Sequence, residues 1–276
     1  MIVKYISSKK ETFILNKGYD CAIKACDPYE SSWIYESVKL QHGINITSFG
    51  KDPIILPIVL KYRGTRQSID LSLENFFRAC ETDIINMTPG QLWIGDQYLN
   101  GFFVERSTVN VSEYYGREQT LSFLSPYGFW LHQEKRSFFP QAVDPSASAG
   151  LDYNYDYNYD YAAEAGSGVQ WYIDHFAPSE FEMIIYGPAV NPLININGHT
   201  YQIFDTLENG EYVIINSENN TVMKYRSNGT TKNIFDLRGK EESIFEPISG
   251  GQNVFSWNGS FGFDLTLFLE RSEPKW

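Results

Sequence analysis

WNGSFGFDLTLFLERSEPKW, residues 257–276, decides how this chain folds. Phe261, Phe263, Leu265, Leu267 and Leu269 recur at every second position. Gly262, Asp264, Thr266 and Glu270 fall between them, with Phe268 the one apolar residue on that side. A period of two sends alternate side chains to opposite faces, so the stretch reads as a half-buried β-strand. Asn258-Gly259 just ahead of it has the positive-φ chemistry of a tight hairpin turn. A polar tail, RSEPKW, follows the strand.

The rest of the chain agrees with a β-rich reading. It has 276 residues, a length that suggests one or two domains. Its 19 Tyr, 19 Phe and 6 Trp favour pleated, half-buried surfaces. One helix is expected near residues 73–84, where Leu73, Phe76, Phe77, Cys80 and Ile84 form one apolar stripe. Asp70 or Ser72 would cap its start, and Pro89-Gly90 would bound its exit. Strand-like runs lie at 54–62, 92–94, 102–109 and 118–123, with Asn100-Gly101 marking a hairpin. After Gly168 the Asn-Gly pairs at Asn197, Asn209, Asn228 and Asn258 separate further short runs at 193–196, 199–204, 212–215 and 221–225. Repeated short strands with such turns argue for an antiparallel sandwich. Between residues 137 and 168 the composition shifts to small and polar, with QAVDPSASAG and AAEAGSG flanking the ladder DYNYDYNYDY. The expected division is therefore residues 1–135, a linker with a tyrosine-rich entry strand at 136–168, and a β-sandwich at 169–276.

Charge and targeting signals narrow the possible functions. A formal net charge of −12, from 34 acidic and 22 basic residues, opposes any direct grip on nucleic acid or docking on an anionic membrane. The longest apolar run, 54–60, is interrupted by Pro57 and is too short to span a bilayer, so no membrane insertion is expected. The first twenty residues lack a secretory apolar core, so synthesis in a cytoplasm is expected. Cys21, Cys26 and Cys80 are too few and too scattered for a disulfide framework or a zinc site.

Catalytic signatures are missing from the sequence. His42, His132, His175 and His199 have no ligand spacing, and no phosphate loop or nucleophile elbow is present. Glu241 and Glu242 are adjacent and point different ways. Asp264 and Glu270 share a strand face but would lie about 20 Å apart, whereas a hydrolytic pair needs roughly 5–9.5 Å. The expectation is no enzyme, no cofactor and no metal. The ladder's Asp-x-Asn-x-Asp start imitates a calcium loop, but Tyr157 stands where glycine is needed and Ala163 where glutamate is needed. As a strand, the ladder would line Tyr153, Tyr155, Tyr157, Tyr159 and Tyr161 along one face. These five are the candidate interface or glycan contacts; a disordered tyrosine tract is the alternative.

Two internal stretches, FEMIIYGPAVNPLININGHTYQIF (181–204) and NGTTKNIFDLRGKEESIFEPISGGQNVFSW (228–257), lead into the closing strand. The first carries a Gly-Pro…Asn-Pro hairpin, and the second an Asn-Ile-Phe-x-x-Arg motif and a Phe-Glu-x-Ile-x-x-Gly run. Together with the closing strand they resemble the C-terminal third of distal tail proteins of long, non-contractile-tailed bacteriophages that infect Gram-positive bacteria. LWIGDQYLNGFFVE (92–105) and FLSPYGFW (123–130) resemble the same family in the first half.

The resemblance implies a mainly β fold with one helix in an N-terminal ring-forming domain and a galectin-like or carbohydrate-module-like C-terminal sandwich. It implies a structural virion protein at the distal end of the tail, forming a homo-hexameric hub. Its partners would be a tail tube protein, a tail-associated hub protein and receptor-binding proteins, in an infectious phage or a prophage-derived particle. The alternative is a carbohydrate-binding sandwich that recognises host cell-wall glycans; a glycan hydrolase is a third reading.

Overall fold

The computed structural model describes residues 2–16, 21–29, 31–62, 65–112, 116–140 and 168–274. Among them the chain is mainly β with one α-helix. It divides into two compact units, Met1–His132 with Glu270–Trp276, and Gln133–Leu269.

The first unit contains β1 (Val3–Ile6), β2 (Thr12–Ile14), β3 (Cys21–Cys26), β4 (Ile34–Lys39), β5 (Ile44–Gly50) and β6 (Ile54–Tyr62). The helix α1 (Arg66–Ile85) follows, then β7 (Gly90–Ile94), β8 (Gln97–Ser112), β9 (Gly116–Ser125) and the start of β10 (Trp130–Phe138). Every pairing is antiparallel. β2, β1, β7 and β8 lie side by side, and β8 is long enough to pair with β7 and then with β9. β9 pairs with β6, and β6 with β3. Leu56, Ile58, Leu60, Leu92, Leu99, Leu121 and Phe123 bury their side chains against Ile69, Leu73, Phe76 and Cys80 of the helix. Tyr5, Phe76 and Phe123 each meet Phe103 edge-to-face, with centroids 5.0–5.3 Å apart, the preferred arrangement for aromatic quadrupoles.

Two details differ from the sequence reading. The helix begins a turn earlier than expected, capped by Thr65, whose Oγ1 accepts from the Ser68 N–H. Ile69 extends the apolar stripe by one turn upstream of Leu73, and that burial draws the extra residues into the helix. Asn100-Gly101 is also not a hairpin: it lies inside β8, with Gly101 opposite Gly90. The turn is Gly95-Asp96, where Gly95 at φ 67° provides the first central position. Gly101 is glycine because a Cβ there would meet the Leu124 carbonyl oxygen at 2.2 Å.

The second unit takes the rest of β10, then β11 (Val169–Ile173), β12 (Glu180–Tyr186), β13 (Ala189–Val190), β14 (Leu193–Ile196), β15 (His199–Gln202) and β16 (Thr206–Leu207). It continues with β17 (Tyr212–Asn216), β18 (Thr221–Tyr225), β19 (Thr231–Asn233), β20 (Gly251–Trp257) and β21 (Phe263–Arg271). One sheet runs β19-β18-β17-β12-β21-β10, a second β11-β20-β14-β15, and β13 pairs with β16. Between the two larger sheets lies one apolar cluster that includes Phe181, Met183, Ile194, Ile215, Phe255, Phe263, Leu265 and Leu267.

The closing strand is as its alternation predicts: Phe263, Leu265, Leu267 and Leu269 are buried, and the residues between them are half-exposed. The turn ahead of it is not a hairpin. β20 and β21 belong to different sheets, so residues 258–262 carry the chain from one sheet to the other. Phe261 is buried in that passage, and its carbonyl accepts from the Trp257 indole at 3.0 Å. Asn197-Gly198 is the two-residue turn its chemistry suggests, joining β14 to β15 with φ of 54° and 90°. Buried Asn253 fixes it from β20, accepting from the Asn197 amide at 2.6 Å and donating to the Ser249 and Gly251 carbonyls.

Candidate functional site

A polar recess of the second unit forms where the chain after the 3₁₀ turn (Phe235–Leu237) folds back along β15. Backbone bonds hold the two segments together: Phe204 N–H to Leu237 O at 2.7 Å and Gly239 N–H to Gln202 O at 2.8 Å. The recess has a volume of about 690 Å³ and takes Asp236, Arg238, Lys240, Glu241 and Glu242 among its lining residues. The Arg238 guanidinium lies 3.7 Å from the centre of the Phe235 ring and donates to that residue's carbonyl. Glu242 accepts from the Thr200 N–H and sits 3.7 Å from His199, whose other ring nitrogen is 2.7 Å from the Ser243 carbonyl.

Adjacent Glu241 and Glu242 thus share one rim of the recess, with Glu242 held by backbone and histidine. The recess offers opposite charges and an exposed Phe204 ring to a polar ligand.

Several ionisable groups outside the recess have structural partners. Lys224 is buried and contacts Asp205 at 3.1 Å, Glu211 at 3.0 Å and the Thr206 carbonyl at 2.7 Å. Burial pulls its pKa down, but the hydrogen bonds to Glu211 and Asp205 outweigh it and hold the ammonium above its ordinary value. A lysine nucleophile needs the opposite shift. Asp264 accepts from Lys135 at 2.8 Å and from Tyr186 at 3.1 Å, while Glu270 accepts from Tyr127 at 2.7 Å.

In the first unit, Tyr5 donates to Asp83 at 2.6 Å and Ser8 closes on the same carboxylate. Burial first, then Asp83, push the Tyr5 phenol above its ordinary range. Burial and the charge of Asp27 push the Cys26 thiol up to about 11, and burial raises Cys80 as well, so both stay protonated at neutral pH. Among the described residues no three metal-ligating side chains converge, and no helix is long and apolar enough to cross a membrane. The five ladder tyrosines, Tyr153, Tyr155, Tyr157, Tyr159 and Tyr161, lie outside the described residues.

Sequence reasoning passed over one surface, the ribbon made by β4 and β5. Among the described residues its strands pair only with each other, and large apolar residues stand exposed along both. The signal was present as SWIYESVKL and GINITSFG around Gly43, two β-favouring runs separated by a turn glycine.

The whole arrangement is similar to solved structures of phage hub proteins. The crystal structure of the SPP1 Dit protein, described as a paradigm of the hub adsorption apparatus of phages infecting Gram-positive bacteria, aligns with a TM-score of 0.61. It covers 98% of this chain and all of that one at 8% identity. Structures of the phage p2 baseplate in its activated conformation, one with Ca and one with Sr, each align with a TM-score of 0.59. Both cover 99% of this chain, with 100% and 99% of theirs, at 11% and 12% identity. No family model matches the chain, and no curated protein sequence matches it either. The fold is that of these phage hub chains.

Proposed function

We propose that the chain is a distal tail protein. It is a structural virion component that forms a homo-hexameric ring at the tip of a phage tail, joining the tail tube to the hub and receptor-binding proteins. One observation carries this reading: the likeness runs over essentially the whole of both chains, 98% and 100%, with both units included. A carbohydrate module that shared only the sandwich would match over the second unit alone. In this reading the first unit builds the ring and the sandwich of the second unit displays partners outwards. The protein acts through geometry and is not an enzyme. Its net charge of −12 suits a channel that lets DNA pass without gripping it.

A second reading keeps the recess beside Phe204 as a glycan site, because an exposed ring next to paired carboxylates and Arg238 suits a sugar's polar edge and apolar face. Native mass spectrometry with negative-stain imaging of the full chain at physiological salt separates the two. Six-fold rings support the hub. A monomer that gives no ring even with its tail partners, and that binds cell-wall glycans, supports the module.

A further inference from the structure

We infer that one face of the β4–β5 ribbon is the arm by which each copy of this chain grips the next, seating on the exit of helix α1 of a second copy. This rests on the ring proposed above and deepens it by naming the surfaces.

The ribbon's two faces differ because of a bulge. Tyr35 pairs with Phe49 and Glu36 with Ser48, but Ser37 then pairs with Ile46 and Lys39 with Ile44, leaving Thr47 as the extra residue. Directly opposed residues share a face, and a one-residue slip reverses which face each side chain takes. Without the bulge, Phe49 would lie on one face and Ile44 and Ile46 on the other. With it, Tyr35, Phe49, Ile46 and Ile44 collect on a single face beside Ser37 and Lys39, while the opposite face carries Glu36, Asn45 and Ser48 with Ile34 and Val38.

The apolar face is uncovered. Tyr35 is 57% exposed, Phe49 64%, Ile46 43% and Ile44 55%. A lone two-stranded ribbon is marginal in water, and such a face calls for a partner. With Trp33 and Leu40 at its two ends, the ribbon could bury several hundred Å², on the order of the ~800 Å² that one side of a stable interface contributes.

The base of the ribbon is fixed while its blade is bare. Trp33 meets Phe129 edge-on at 5.8 Å, and the Lys51 ammonium lies 5.4 Å from both ring centres. Ser31 donates to Glu273 at 2.8 Å, and Lys51 donates to the Ser272 carbonyl at 3.3 Å. An arm with a rigid base and an unpaired apolar face loses little conformational freedom on docking.

Charge and symmetry select the occupant. On a chain of net charge −12, the ribbon strands carry one acid, Glu36, and one base, Lys39, so this part approaches another copy without net repulsion. A ring needs a head-to-tail contact between two different patches of one chain. The same unit supplies a second apolar patch where α1 ends, with Ile85 80% and Met87 81% exposed. Glu81, one helical turn before Ile85, faces the same way and is held only loosely, 4.0 Å from Arg106. It supplies the charge opposite to Lys39.

The test uses the full chain and three variants. Phe49→Glu damages the arm, Ile85→Lys damages the seat, and Val38→Glu alters only the ribbon's other face. None of the three positions belongs to a buried cluster, so melting temperatures should stay at the wild-type value. Native mass spectrometry should show six chains for wild type and Val38→Glu, and single 31.7 kDa chains for Phe49→Glu and Ile85→Lys. Mixing the two damaged variants should give a one-to-one dimer and nothing larger, because only one sound arm and one sound seat remain.

Rings from Phe49→Glu overturn the inference; if those rings no longer enter tails, the arm serves another tail protein. Rings from Ile85→Lys, or no dimer in the mixture, overturn the choice of seat. Loss of rings in Val38→Glu overturns the one-face argument. A wild type that never assembles overturns the hub reading itself.

Discussion

Phe138 and Phe263 stack face to face, their ring centroids 4.4 Å apart and their planes 8° from parallel. The pair joins β10 to β21 inside the second unit's core, with Trp257 standing perpendicular to Phe263 at 5.3 Å. Phe263→Ala removes both contacts and leaves a cavity, which costs about 3–5 kcal/mol. The unit should melt well below wild type, with its near-ultraviolet dichroism lost in the same transition. A Phe263→Ala chain that melts at the wild-type temperature would show that this strand is not central to the core.

Lys224 gives a prediction with a pH signature. Replacing it by Met leaves the carboxylates of Asp205 and Glu211 without their cation and should lower stability at neutral pH. The Glu208 backbone N–H, then Lys224, hold Glu211 below the usual carboxylate range. Its stabilisation is therefore complete above the ordinary value of 4.5 and is lost as pH falls through the lowered one. Lys224 is raised, so its share is complete below 10.5 and is lost as pH climbs through the raised value. Denaturant titrations across pH should show wild-type stability falling at both ends and a flatter profile for Lys224→Met.

Gly101→Ala tests the crowding between β8 and β9. The new methyl would meet the Leu124 carbonyl oxygen at 2.2 Å and the Phe123 ring at 2.9 Å, and backbone cannot yield as a side-chain tip can. Several kcal/mol of destabilisation in the first unit is expected, at the upper end for point changes. Hydrogen exchange should report it first along 116–125.

Tyr5→Phe keeps the ring packing and removes one donor from the buried Asp83 carboxylate, which then relies on Ser8. A loss of about 1–3 kcal/mol follows from leaving a buried acceptor short. Tyr5→Phe combined with Asp83→Asn should recover part of it, since the unmet group is then no longer charged.

What the letters made legible was whatever depends on local periodicity. The runs at 54–62, 193–196 and 221–225 became β6, β14 and β18 at those bounds, and the alternation in β21 named the buried face residue by residue. Asn-Gly pairs were weaker guides, because the dipeptide reports a permitted backbone conformation and not which strands pair. Asn197-Gly198 closes a hairpin, Asn258-Gly259 carries the chain between sheets, and Asn100-Gly101 lies within a strand, where a long-range approach of Leu124 decides the residue. The ribbon face was hidden for a related reason. Its apolar side exists only once a bulge has shifted one strand by a residue, and a count along a single strand cannot register that.

The tie from Glu273 to Ser31 sets an order of completion that differs from the order of synthesis. A ribosome makes the whole second unit before residues 270–273 emerge, yet those residues belong to the first unit, where Tyr127 and Lys51 also receive them. The first unit therefore waits, largely built, for residues 270–273. Until translation has passed residue 273, the base of the ribbon lacks the Ser31 and Lys51 contacts that steady it. A nascent chain that has not yet passed residue 273 therefore holds the base of the ribbon less firmly than one that has.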